Sequence, residues 1–156
     1  MVEDNIKNIA IGHKQRFTVD GDMNRIISLD TSDMNIIVRL EETYPKMWAK
    51  AKEAVERMAA TDIKGSDSSA LSDLAKVLKS VDAQMREELD YVFDSGVSDI
   101  CVPKGNMYDP IDDGGFRFEH VIEVLTTLYA DSLSANFKKM RDKVNKRTAK
   151  YNKRKN

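Results

Sequence analysis

The sequence predicts a mainly α fold with a small N-terminal β-hairpin, an α+β arrangement whose helical bundle ends in a long basic C-terminal helix. Three observations carry this reading. Apolar residues recur at steps of three and four over 71–92 and 118–144, which sets them on one face of a helix. Between Phe17 and Leu29 they fall instead into two β-prone runs around Asp20-Gly21-Asp22, a turn sequence. Only 3 Pro and 7 Gly interrupt 156 residues that are 41% hydrophobic and 33% charged, the composition of a charged, helix-rich globular chain. That length fits one core.

Residues 1–13 carry no period and read as a loosely ordered arm. In the hairpin, at about 15–29, Phe17 and Val19 alternate with Thr18 and Asp20, and Ile26, Ile27 and Leu29 follow the turn. An isolated hairpin is marginal in water, so it must pack on a helix or pair with strands of another subunit. Asp30-Thr31-Ser32-Asp33 supplies capping oxygens before Met34, Ile36, Ile37 and Leu40, a helix start. Pro45 biases Tyr44 away from helical geometry, so this run either kinks or restarts as a second helix at about 45–60. There Met47, Trp48, Ala51, Val55 and Met58 share a face, and 61–69 connect onward.

The strongest periodicity is Leu71, Leu74, Leu78, Val81, Met85, Leu89 and Val92, the seam of a helix of about 25 residues. It stops near Asp94-Ser95-Gly96, where Gly suits a left-handed C-terminal position. A loop of roughly 20 residues with Pro103, Gly105, Pro110, Gly114 and Gly115 follows, and a loop that long is usually functional or mobile. Ile100-Cys101-Val102 suits a short strand against the hairpin. Phe118, Ile122, Leu125, Tyr129, Leu133, Phe137, Met140 and Val144 then draw a second long amphipathic helix that outruns the core, since only Ala149 and Tyr151 are apolar beyond Val144.

No stretch approaches the ~18 apolar residues of a membrane span, and the acidic start Met1-Val2-Glu3-Asp4 is unlike a secretory signal, so the expected location is the cytoplasm, with no membrane partner. The single Cys101 reads as a small core hydrophobe. Asp109, Asp112, Asp113, Gly114 and Glu119 fail calcium-loop spacing, because Ile111 and His120 stand where carboxylates are needed. Asp20 and Asp22 are turn residues first. His13 and His120 share no ligand spacing. Asp113-Gly114-Gly115 would repel an anion, and no nucleophile sits in a recognisable pattern with a base. The reading is therefore a binding protein with no catalytic residue, metal or cofactor.

Charge is divided unevenly. Residues 1–137 hold 15 Lys+Arg against 25 Asp+Glu, whereas 138–156 hold 10 against the lone Asp142. The chain accordingly divides into an acidic globular domain, 1–137, and a basic helical extension, 138–156. The extension carries Lys138, Lys139, Arg141, Lys143, Lys146, Arg147, Lys150, Lys153, Arg154 and Lys155. Three readings fit them: complementarity to the helix dipole with solubility, nucleic-acid phosphate binding, or an acidic protein partner, including the body of a neighbouring copy in a homo-oligomer.

Arg16-Phe17-Thr18-Val19-Asp20-Gly21-Asp22, its continuation through Arg25-Ile26-Ile27-Ser28-Leu29-Asp30-Thr31-Ser32-Asp33-Met34-Asn35-Ile36, and the segments Tyr91-Val92-Phe93-Asp94 and Phe116-Arg117-Phe118-Glu119-His120-Val121-Ile122 resemble small proteins encoded by prophages and tailed phages of Gram-positive bacteria. The likeness covers most of the chain and is one of overall pattern. Such proteins are similar to those of the tail-assembly region near the tape-measure gene, which implies a tail assembly chaperone binding the tape-measure protein or tail tube subunits. Adaptable Met side chains suit such covering, and Met47, Met58, Met85 and Met140 are the candidates, each of which also suits ordinary core. Alternatives are a nucleic-acid-binding accessory protein using 138–156 and a minor structural component of the virion.

Overall fold

A computed structural model describes residues 7–9, 14–65, 67–94 and 96–155. Most of the N-terminal arm, His13 included, lies outside the described residues. The chain then runs β1 (Gln15–Val19), β2 (Asp22–Leu29), α1 (Asn35–Ala60), α2 (Ser68–Val92), α3 (Val97–Cys101) and α4 (Arg117–Lys155), a mainly helical fold with a two-stranded antiparallel hairpin.

Asp20 (φ 53°) and Gly21 (φ 70°) turn the hairpin, both left-handed as a two-residue primed turn requires. Pairing runs from Gln15↔Leu29 to Thr18↔Ile26, then breaks between Thr18 and Val19, where Val19 pairs with Asp22. The bulged strand aims Arg25 at α3, where its guanidinium donates to the carbonyls of Ile100 (3.1 Å) and Cys101 (2.8 Å) and pairs with Asp20. Ile27 and Leu29 are buried in the core, so the hairpin is stabilised by its own helices.

The expected strand at 100–102 is absent, because Ile100 and Cys101 belong to α3. Gly96, left-handed at φ 79°, opens that helical turn, and Asp90 accepts the Ser98 N–H. The same glycine does not cap α2, which closes at Phe93. Arg25 then occupies carbonyls that a strand would have given to a neighbour.

Of the two outcomes open at Pro45, a kink or a restart, the restart does not occur: α1 is continuous over 26 residues. Proline deprives the Glu41 carbonyl of its helical donor, but both residues lie on the exposed side, where water can replace it. The helix starts with Met34 at the cap position and no side-chain cap, although Asp33 accepts the Asn35 N–H and pairs with Arg39 at 2.6 Å. α2 has a proper cap, Asp67 accepting from Ala70.

α1 and α2 form an antiparallel pair. Arg39 donates to the Val92 carbonyl at one end, Tyr91 to Glu42 beside it, and Lys50 to Gln84 further along. Its buried positions stop at Ala54 and begin at Leu74, so Val55 and Leu71 at the tip of the pair stay exposed rather than joining the seams expected for them. Met47, Ala51 and Ala54 face Val81, Met85, Leu89 and Val92 in one cluster, closed by Phe118, Ile122, Leu125, Tyr129 and Leu133 of α4. α4 stands further from its neighbours than α1 and α2 stand from each other, held off on these large side chains.

The segment between α3 and α4 is a plug rather than a free loop. Met107 and Tyr108 are buried, and their neighbours are pinned to α2. Asp82 accepts the Met107 N–H, Asn106 donates to Leu78, and Arg86 donates to the carbonyls of Val102 and Gly105 while pairing with Asp82 and Asp99. A long irregular segment stays ordered when its backbone polar groups find such partners.

Candidate functional site

Because α4 stands away from α1, an open groove of about 780 Å³ runs between them. Ile36, Ile37, Leu40 and Tyr44 form the α1 wall. The α4 side is a row of Glu119, Glu123, Thr126, Ala130, Ser134 and Phe137, set over the buried Ile122, Tyr129 and Leu133. The floor is low because Thr126, Ala130 and Ser134 are small. Glu41, Glu119 and Glu123 make the rim acidic at the end nearer the start of α4. A smaller hollow of about 350 Å³ continues past Met34, Phe137 and Met140.

An edge-to-face aromatic cluster closes the Tyr44 end. Trp48 meets Tyr44, Phe116 and Phe118 with ring centres 5.5–6.3 Å apart, and Phe116 stacks on Phe118 at 5.4 Å. These contacts set the start of α4 against the middle of α1. Glu119 reaches back to the Phe116 N–H, while the Arg117 and Phe118 N–H groups donate to Asp109 and Met107, so the first turn of α4 is fully tied to the plug.

Past Leu133 no residue of α4 is buried, and 138–155 are exposed throughout although helical. At ~1.5 Å per residue that overhang is roughly 27 Å long. Its apolar seam continues outside the body: Phe137 is 42% exposed, Met140 50%, Val144 60% and Tyr151 61%. The basic residues of the extension surround this seam. Lys155 Nζ lies 5.1 Å from the Tyr151 ring centre.

A second cleft, of about 550 Å³, opens on the other side of α4, under the hairpin, lined by Phe17, Val19, Ile27, Val121, Val124 and Leu128 with Arg25, Lys104, Arg117 and His120 at its margin. Cys101 borders it, and burial pushes the thiol up to about 11, which keeps it in the unreactive protonated form.

The expected partner-contacting methionines separate. Met47 and Met85 are fully buried and serve as core between α1 and α2, so they present nothing to a partner; Met58 is half-buried, and Met140 alone of the four lies on an open surface. The carboxylates of the 109–119 segment stabilise turns: Asp109 accepts from Asn106 and pairs with Arg117, and Asp113 accepts from Gly115. Among the described residues, no three His, Cys, Asp or Glu side chains stand where they could share a metal ion, and no helix is long and apolar enough to cross a membrane. Glu88 sits half-buried with one carboxylate oxygen that has no hydrogen-bond partner among the described residues, and burial raises its pKa against the opposing pull of Lys50 and Lys46.

Sequence reasoning identified the α4 seam but missed the groove. Its signal was present in the row of small side chains at 126, 130 and 134, which lies beside the buried stripe. No family model matches the chain, and no curated protein or solved structure does either.

Proposed function

We propose that this protein works by binding other proteins and not by catalysis, as a tail assembly chaperone in the cytoplasm of a phage-infected host. The supporting observation is the exposed row Phe137, Met140, Val144 and Tyr151, continuous with the α1–α4 groove. Apolar surface that a body leaves open, rimmed by charge, is what a partner's amphipathic helix covers. The resemblance to tail-region proteins makes a tape-measure protein the client: a long, helix-rich chain whose apolar stripes need cover until tube subunits assemble around it. Its helix lies in the groove and along the seam, and the basic extension draws in acidic tail subunits.

Co-expression tests this directly. A tape-measure protein that precipitates alone should stay in solution with the intact chain, and lose that protection with a Phe137→Asp, Val144→Asp double variant. Unchanged solubility in both cases sinks the reading. Absence of the protein from purified particles distinguishes a chaperone from a minor virion component.

The ten exposed cations of α4 favour one further reading, a nucleic-acid-binding accessory protein. Binding of DNA or RNA that weakens steeply with salt, and disappears when the chain is cut after Phe137, would select it over the chaperone.

A further inference from the structure

The face of α4 that borders the groove has a symmetry in position. From Phe137 toward the N-terminus its members are Ser134, Ala130, Thr126, Glu123 and Glu119, all lining the groove. Continuing the same face toward the C-terminus gives Met140, Val144, Thr148, Tyr151 and Lys155, all exposed on the overhang. The steps are three, four, four, three and four in both directions. Eighteen residues make five turns, so Glu119, Phe137 and Lys155 fall on one line along the helix.

The two halves differ in side chain as complementary surfaces do. The groove half is small and acidic, whereas the overhang half is large, apolar and basic. We propose that a second copy of this chain covers the groove: two α4 helices pair antiparallel about a two-fold axis at Phe137, each laying its overhang into the other's groove. This register sets Met140 over Ser134 and Val144 over Ala130, so two large side chains each meet a small one, and it sets Thr148 over Thr126. Tyr151 comes over Glu123, whose carboxylate can accept from the phenol, and Lys155 over Glu119. Arg147, Lys150 and Arg154 flank the same end, opposite the Glu41 and Glu123 rim.

In this register the described overhang, 138–155, lies along the stretch 119–136 of the other copy. The interface is isologous, with the same patch used by both copies, and it closes at two. The pairing stands on this geometry whatever the client is. If the client reading also holds, a client helix must displace the second copy from the groove, and the free dimer is the self-covered form.

Light scattering on the full chain in low salt should give twice the chain mass, falling toward the monomer mass as salt screens the rim. Reversing the overhang (Arg147→Glu, Lys150→Glu, Arg154→Glu) or the rim (Glu41→Lys, Glu123→Lys) should each give a monomer with unchanged helical circular dichroism. Mixing the two reversed proteins should restore the dimer mass, because each overhang then meets an opposite rim. In a Cys101→Ser background, Phe137→Cys should oxidise to a linked dimer, and Ala130→Cys should link to Val144→Cys across a mixed sample. A monomeric wild type, a reversed pair that fails to recombine, or Val144→Cys linking to itself, the mark of parallel helices, would each overturn the pairing. Loss of client protection with the dimer intact would overturn the chaperone reading alone.

Discussion

Arg86 shows how much of this fold hangs on single polar residues. Its guanidinium joins α2 to α3 and to the plug through Asp82, Asp99 and the carbonyls of Val102 and Gly105, with its side chain 17% exposed. Arg86→Ala leaves those acceptors without their donor and should destabilise the protein by roughly 2–4 kcal/mol in chemical denaturation. Glu88 acts in the opposite sense. Burial raises its pKa, so the native state holds that proton more tightly than the unfolded chain does, and this stability is lost as pH rises from the ordinary carboxylate range through the raised value. Glu88→Gln should therefore melt higher than the parent at pH 7, and the gap should close once the solution is acidic enough to protonate the carboxyl in both states. Neither role was visible beforehand. Arg86 and Glu88 look like any solvated charge on an amphipathic helix until a loop twenty residues away folds back, or a neighbouring helix removes water from one of them.

Elements were more legible than residues, because periodicity is a local property and burial follows from it. The hairpin, the 25-residue α2 and the long α4 are where spacing and turn chemistry put them. Where local preference did not decide the outcome, a tertiary partner did. Pro45 penalises helix, yet α1 runs through it, because the packing of Met47, Ala51 and Ala54 against α2 exceeds the loss of one solvent-facing hydrogen bond. Pro45→Ala should consequently stabilise the protein by about 1–2 kcal/mol, less than the full helix-propensity difference because proline also restrains the unfolded chain. Ile100-Cys101-Val102 has strand composition, yet Gly96, Asp90 and Arg25 hold its first two residues in α3. The hairpin turn is a case where local chemistry prevails, and Gly21→Ala at φ 70° should cost about 1 kcal/mol and loosen β1 first, as faster amide exchange over residues 15–19.

At the scale of the molecule, charge and shape are arranged along α4. Everything up to Phe137 carries a net −10, and the overhang nearly cancels it. Cutting the chain after Phe137 should leave a body whose unfolding free energy, measured in high salt, changes by less than about 1 kcal/mol, since every described residue removed is exposed. The same truncation should make the protein strongly anodic in native electrophoresis and abolish both self-pairing and client protection. By itself the sequence determined the helix periods, the hairpin, the charge asymmetry and the fact that the last helix outlives its core, all of which depend on spacing and composition within one segment. Only the tertiary structure decided that Met47 and Met85 are sealed inside, that the long loop is a plug, and that α4 stands off α1 to leave a groove. Those outcomes depend on the distance between segments far apart in the chain, which no local pattern specifies.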